Sequence, residues 1–443
     1  MTGIIALGFV TLIVIGAVLL MLPVSSASRE FTSPLTAFFT AVSASCVTGL
    51  VTVDTGTYWS LFGQGIIIAM IQIGGLGFMT MAVLLSKIIK RSVTPRERIL
   101  VAMSYNLNSY DSTSQLVKRI LIGTLAIEGL GAVVLSTQLV PVFGWADGIY
   151  KSVFHSISAF CNAGFDLFGG YSGEFSSLIS FNGNYVIGIT LMLLVIIGGI
   201  GFVVWGDLIG LLTKRRPLSA YTKFVLIISG ILVFGGAVFY GIFEWDNPAT
   251  LGSMSVGEKI MNAFFQSVSM RTAGFSMVDN ASLSQSSQFL SVALMFIGGG
   301  SGSTAGGVKV ATIGILFYTV FCVSIGKTEV NIFKRKLSHV TFMRSVSIIV
   351  IQLFLVILGT SIVSYSEGID VMTALYEVTS AGGTVGVSLG VTPTLGIFSQ
   401  LIIMLLMYFG RVGILSITYA VMVNLSKSNS VGINHPEANM LVG

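Results

Sequence analysis

Ala374-Leu375-Tyr376-Glu377-Val378-Thr379-Ser380 runs, six residues on, into Gly386 within Gly383-Thr384-Val385-Gly386-Val387, and this arrangement occurs four times in the chain. Ala37-Phe38-Phe39-Thr40-Ala41-Val42-Ser43 precedes Gly49, and Ser152-Val153-Phe154-His155-Ser156-Ile157-Ser158 precedes Gly164. Ala263-Phe264-Phe265-Gln266-Ser267-Val268-Ser269 precedes Gly274, with an interval one residue shorter. A second pattern keeps the same register: Ile73-Gly74-Gly75-Leu76-Gly77-Phe78, Ile197-Gly198-Gly199-Ile200-Gly201-Phe202, Ile297-Gly298-Gly299-Gly300-Ser301-Gly302 and Phe409-Gly410-Arg411-Val412-Gly413-Ile414. Two patterns in register over four copies define an internal repeat.

Composition says where the repeats reside. Of 443 residues, 53% are hydrophobic and 9% charged, against roughly 25% charged in soluble proteins. Mean hydropathy is +0.91. A soluble domain, a disordered chain and a secreted disulfide scaffold are excluded. Cys46, Cys161 and Cys322, with His155, His339 and His435, are too scattered for a zinc motif. Apolar runs near 3–23, 61–88, 116–140, 184–212, 219–243, 286–325, 339–366 and 395–426 predict eight transmembrane helices. The first run has no Lys or Arg ahead of it and reads as an uncleaved span, not a signal peptide. The units fall at 1–90, 116–213, 218–326 and 338–426, with a tail at 427–443.

Charge gives orientation. Lys87, Lys90, Arg91, Arg96, Arg98, Lys118 and Arg119 share one connection; Lys214, Arg215, Arg216 and Lys223 the next; Lys327, Lys334, Arg335, Lys336 and Arg344 the third; Lys427 follows the last span. These segments are expected in the cytoplasm with both termini, in a multi-pass protein of the cell membrane. The net charge of +5 is therefore topological, and nucleic acid is not an expected partner. The opposite side carries acids such as Asp54, Asp166, Asp279 and Glu377, with Arg29, Lys151 and Lys259 as its bases. An acidic mouth concentrates cations.

Each repeated apolar segment is about 12 residues, too short to cross a bilayer of about 30 Å. It suits a short helix that enters halfway and returns as extended backbone, which is tolerated only where it is buried in protein or lines water. Glycine permits positive φ, so consecutive carbonyls can face one axis. Four such strands can replace the hydration shell of a cation, with four helix C-termini aimed at it. The predicted fold is an all-α membrane protein of four pseudo-symmetric span, pore helix, filter loop and span repeats around one ion path. The expected filter is Val47, Thr48 and Gly49; Asn162, Ala163 and Gly164; Thr272, Ala273 and Gly274; Thr384, Val385 and Gly386. The missing residue of the third segment puts the geometry of that corner in doubt.

The stretch Gly298-Gly299-Gly300-Ser301-Gly302-Ser303-Thr304-Ala305-Gly306-Gly307 is too small and flexible for continuous helix. It reads as a gating loop below the filter, with no equivalent interruption in the other three repeats. No Gly-Lys-Ser/Thr follows it, so it is not a phosphate loop. Lys309 either anchors it or snorkels to the inner surface. Arg411 lies mid-span, where a cation faces water or protein, and is read as an electrostatic barrier on the path, the alternative being a packing arginine paired with backbone carbonyls or an acid. Arg271 is placed behind the filter, with Glu377 as a candidate partner. Glu128, the one acid deep in a non-pore span, is given no role; Cys46 and Cys161 are read as packing residues.

These residues, above all the four glycines, the 298–307 interruption and Phe409-Gly410-Arg411, make the chain similar to the TrkH/KtrB/HKT superfamily of potassium transporters. It resembles the bacterial KtrB type most closely, over nearly its whole length. The resemblance implies that one chain mimics a tetrameric potassium channel, with K+ at the filter carbonyls and Gly49 matching the potassium-selective pattern. It also implies a homodimer on a cytosolic RCK ring of nucleotide-binding KtrA-like subunits, with no organic cofactor in this chain. The apolar end Met440-Leu441-Val442-Gly443 is expected to dock on another subunit, and the basic loops to meet that partner or anionic membrane lipids. A sodium or non-selective cation channel shares the architecture. An organic-solute carrier would need inverted repeats and midplane polar residues, and an enzyme would need clustered His, Asp or Glu within the spans.

Overall fold

The computed structural model describes residues 2–77, 113–327 and 329–413. The basic cluster at 87–98, residues 78–88 and 414–426 of the spans expected at 61–88 and 395–426, and the tail at 427–443 lie outside the described residues.

Four units follow one another. The first holds α1 (Thr2–Met21), α2 (Pro34–Cys46) and α3 (Leu61–Leu76). The second holds α4 (Thr113–Phe143), α5 (Trp145–Phe160), α6 (Tyr185–Gly199) and α7 (Phe202–Lys214). The third holds α8 (Ala220–Glu244), α9 (Val256–Ser269), α10 (Gln285–Phe296) and α11 (Val310–Ser324). The fourth holds α12 (His339–Glu367), α13 (Val371–Gly383) and α14 (Ile397–Val412). A two-residue hairpin pairs Asn331–Ile332 with Arg335–Lys336.

Side-chain caps start most of these helices, by accepting N–H groups that the first turn leaves open. Ser33 caps α2, Asp370 caps α13, and Ser255 forms a capping box with Glu258 at the start of α9. Ser60, Asn184 and Ser284 do the same for the return helices α3, α6 and α10.

Packing closes the units into a ring. Within each, the first helix holds its short helix: α1 on α2, α4 on α5, α8 on α9 and α12 on α13. Between units, each return helix packs on a neighbouring short helix: α3 on α5, α6 on α9, α10 on α13, and α14 back on α2. The third position of each repeated heptad is a buried aromatic, Phe39, Phe154, Phe265 or Tyr376. Ile231, Phe234 and Val238 of α8, and Val350, Phe354 and Ile357 of α12, stay exposed, as lipid-facing surface does.

Among the described residues, three helices are long and apolar enough to cross a membrane, lying within α4, α8 and α12, and α6 with α7 makes a fourth bent by 100°. The expectation that only the third unit is interrupted fails. Gly201, at φ 102°, breaks α6 from α7, while Gly77 (83°) and Gly413 (90°) end α3 and α14 at matching positions. Left-handed backbone is cheap for glycine and stops a helix. The sixth apolar run is α10 and α11 with an irregular loop between them.

Candidate functional site

The short helices α2, α5, α9 and α13 end at residues 46, 160, 269 and 383, just ahead of the four glycine segments. All four segments share one backbone pattern. Val47, Asn162, Thr272 and Thr384 have φ of 57°, 59°, 70° and 53°, and Gly49, Gly164, Gly274 and Gly386 have 93°, 69°, 83° and 96°. Thr48, Ala163, Ala273 and Val385 between them are not left-handed. Such alternation lets consecutive carbonyls point the same way. A left-handed non-glycine costs about 1–3 kcal/mol, and three of these four are β-branched, so other contacts must hold them.

Repeated serines supply those contacts. Ser43 Oγ accepts the Gly49 N–H at 3.0 Å, and Ser380 Oγ accepts the Gly386 N–H at 3.1 Å. Ser158 Oγ donates to the Phe165 carbonyl at 2.8 Å, and Ser269 Oγ donates to that of Phe275. The carbonyls of the same serines accept N–H groups from Thr48 (2.8 Å), Ala163 (2.8 Å), Ala273 (2.9 Å) and Val385 (2.8 Å). The third segment meets this bond four residues after its serine where the others use five. Its missing residue is thus absorbed at the helix end, and Thr272 and Gly274 keep the shared φ signs.

The four glycines touch in a circle. A Cβ on Gly49 would run into the Ala163 carbonyl oxygen and lie 3.2 Å from Gly164 Cα. One on Gly164 would lie 2.6 Å from Gly274 Cα, one on Gly274 2.6 Å from the Val385 oxygen, and one on Gly386 would strike the Thr48 oxygen. All four line one cavity of about 200 Å³, together with Asp54, Asp166 and Asp279. Asp54 is committed to N–H groups of Gly56, Thr57 and Phe175 at 2.9–3.0 Å. Asp166 accepts the Phe168 N–H at 3.0 Å. Burial pushes its carboxyl up to about 7, against the Phe168 hydrogen bond and with help from nearby Asp54.

The 298–307 loop lies on the other side of the segments. Gly300 N–H donates to Gly199 O at 2.8 Å, Phe202 N–H to Gly302 O at 2.9 Å, and Gly298 N–H to Val308 O at 2.8 Å. Gly302 and Gly307 are left-handed, at 66° and 63°. Gly298, Gly300 and Gly306 approach other groups too closely for a side chain: Gly306 O, Ile200 O and Thr384 Oγ1 respectively. The Gly299 carbonyl accepts Val310 N–H at 3.0 Å, and Ser303 Oγ donates to Gly300 O at 2.7 Å. Lys309 anchors the loop, donating to Ala305 O at 2.6 Å. Tyr221 Oη accepts the Ser301 N–H at 3.1 Å. Arg411 donates to Thr304 O in the loop and to Gly74 O and Gly75 O of α3, the last at 3.0 Å. It therefore ties the loop to the wall, a role that the barrier reading did not include.

The suggested pairing of Arg271 with Glu377 is not formed. Arg271 instead donates to Ser229 O, Ser229 Oγ and Gly298 O at 3.4–3.5 Å. Glu377 accepts from Ser388 Oγ (2.5 Å), Leu389 N–H (2.9 Å) and Thr392 Oγ1 (2.7 Å), which pins the chain after Gly386. Glu377→Ala strands three donors, that of Thr392 buried and those of Ser388 and Leu389 half-buried, and is expected to cost about 2 kcal/mol. The check is a lowered melting temperature in detergent, with Glu377→Gln losing less. Glu128 accepts from Gln72 Nε2 at 3.1 Å, beside buried Cys161; Cys46 is buried in the core, as read.

The four serines close each quoted heptad, so their recurrence is a signal for the backbone support that the sequence reading left without a role. The left-handed first positions carried no such signal, since Val and Thr ordinarily avoid that conformation.

A helical membrane ring enclosing this glycine circle fits one class, and comparison with known proteins supplies it: residues 2–433 match the family model described as TrkH, cation transport protein. The chain belongs to the TrkH family, and is thus a membrane transport protein and not an enzyme. It is 38% identical to Ktr system potassium uptake protein B of Bacillus subtilis, over 99% of this chain and 96% of that one. It is 37% identical to potassium/sodium uptake protein NtpJ of Enterococcus hirae, again over 99% and 96%. The crystal structure of the potassium transporter TrkH from Vibrio parahaemolyticus superposes with a TM-score of 0.76 at 16% identity, covering 96% of this chain and 85% of that one. That likeness establishes the fold.

Proposed function

We propose that this chain is the ion-translocating subunit of a potassium uptake system, conducting through the glycine circle and gated by the 298–307 loop. The observation that carries this reading is the fourfold alternation at residues 47–49, 162–164, 272–274 and 384–386, in which the first and third residues are left-handed and the middle one is not. Inward carbonyls at these positions would replace the water shell of K+, and the C-termini of α2, α5, α9 and α13 would add partial negative charge. The loop, docked on the inner side, obstructs the path until it moves. The names of the relatives support potassium as cargo, and NtpJ's name supports sodium as the alternative. Uptake of potassium against sodium, in cells lacking their own potassium uptake systems, separates the two. Growth rescue that sodium does not compete away supports potassium; equal competition overturns it.

In this reading the basic connections and both termini are cytoplasmic, in the plasma membrane. The chain is a homodimer on a cytosolic nucleotide-binding ring of RCK type, a partner in keeping with the Ktr system names of its relatives. Light scattering of the detergent-purified chain tests the dimer.

Asp166 gives the outer mouth a proton dependence. Its carboxyl is neutral below pH about 7 and negative above. Apparent potassium affinity should therefore rise as external pH rises through about 7, and Asp166→Asn should flatten that rise at the weaker value. Stability moves oppositely: the fold favours the protonated acid, so its contribution is present at low pH and lost as pH climbs toward 7. Potassium uptake titrated from pH 6 to 8 checks the first effect, and melting in detergent the second.

A further inference from the structure

The loop and the filter segments meet through side chains, and one residue of the loop stands at that contact. Thr304 is fully buried, and its Oγ1 lies 3.0 Å from Phe160 O and 3.0 Å from Asn162 Oδ1. Asn162, also buried, reaches on through Nδ2 to Thr272 Oγ1 at 3.5 Å. Asn162 and Thr272 are two of the four left-handed residues that begin the filter segments. A third, Thr384, faces Gly306 of the loop so closely that no Cβ fits between them, and its buried hydroxyl has no hydrogen-bond partner among the described residues. The fourth, Val47, packs on Gly74, whose carbonyl accepts from Arg411, and Arg411 also holds Thr304 O.

Two of the strained positions, Asn162 and Thr384, thus meet the loop directly, Thr272 is linked to it through Asn162, and Val47 through Gly74 and Arg411. Left-handed Asn, Thr and Val persist only where their surroundings overdetermine them. A loop that lifts away takes with it the donor to Asn162 and the wall against Thr384. We propose that Thr304 is a positioning residue that couples the loop to the filter: the docked loop, which narrows the path without sealing it, holds the potassium-selective geometry for the basal uptake, and the lifted loop relaxes it. Ion preference is then a property of the gate's state as well as of the four glycines. This rests on the pore reading proposed above.

The Thr304 hydroxyl has one hydrogen, so it serves either the Phe160 carbonyl or Asn162 Oδ1 at any moment. Valine keeps its shape and removes the donor; serine keeps the donor. The test is potassium and sodium uptake by the full-length chain, in cells lacking their own potassium uptake, with membrane abundance measured in parallel. Thr304→Val is expected to lower the potassium-over-sodium preference about fivefold, the size of one buried hydrogen bond. Thr304→Ser should stay within about twofold of the parent. A double-mutant cycle with Asn162→Ala should be non-additive in ion preference, as for groups in direct contact. Should Thr304→Val not accumulate in the membrane, Thr304→Cys, a poor donor of similar size, carries the same expectation. Raised flux at unchanged ion preference, or an additive cycle, overturns the coupling and leaves the gate in place. Gly386→Ser is the control for the pore reading itself: if it too leaves ion preference unchanged, that reading fails and the coupling with it.

Discussion

Gly386→Ser reduces the preference for potassium over sodium by at least about tenfold, equivalent to roughly 1.4 kcal/mol of lost discrimination. The added Cβ runs into the Thr48 carbonyl oxygen and stands 3.0 Å from Gly49 Cα, and φ of 96° is hostile to any L side chain. Both faults act on the carbonyls proposed to replace water around the ion. The neighbouring segment must yield, and a site that loses its shape favours potassium less. Gly49→Ser meets the Ala163 oxygen in the same way and should behave alike. Competition of potassium uptake by sodium measures the effect; unchanged competition in both variants, at normal membrane abundance, removes the filter assignment.

Arg411→Ala raises basal potassium flux by about tenfold. Two effects add. The guanidinium ties Thr304 O of the loop to Gly74 O and Gly75 O of α3, and charged hydrogen bonds of this kind hold at about 1.5–3 kcal/mol each. Its loss frees the loop from that wall. The same change removes a fixed positive charge beside the proposed path, which opposes a cation. Arg411→Lys keeps the charge but cannot span the three carbonyls with a planar fork. If charge alone matters, lysine preserves low flux; if the tie matters, lysine conducts as alanine does. A fall in flux with alanine, in a folded protein, makes Arg411 a structural residue only.

Much of this was legible before any coordinates, because repetition amplifies weak signals. One glycine after an apolar segment says little; Gly49, Gly164, Gly274 and Gly386 in register predict the circle that their contacts display. Periodicity also placed the short helices and the loop. It did not place the breaks at Gly77, Gly201 and Gly413. Those glycines sit inside uniformly apolar runs, where hydropathy records burial and is blind to φ. Nor did it find the Thr304 to Asn162 contact, which joins positions 142 residues apart in the chain and leaves no local trace. The Arg271 and Glu377 pairing failed for a related reason. Opposite charges near one segment invite a salt bridge on paper, yet Glu377 is taken up by hydroxyl and backbone groups nearer to hand, and Arg271 turns to Ser229 and the Gly298 carbonyl.

The 100° turn between α6 and α7 has an electrical meaning. Beyond Gly201 the chain does not continue the line of α6. On the proposed route, water and salt can then approach the underside of the loop from the cytoplasm. A conducting solution sustains little voltage, so the membrane potential collapses mainly across the remaining thickness, from the outer cavity to the loop. One charge crossing 100 mV exchanges about 2.3 kcal/mol. On that proposed route, energy concentrated over so short a distance would act on ions in the glycine circle and on Arg411 and Lys309 at the loop.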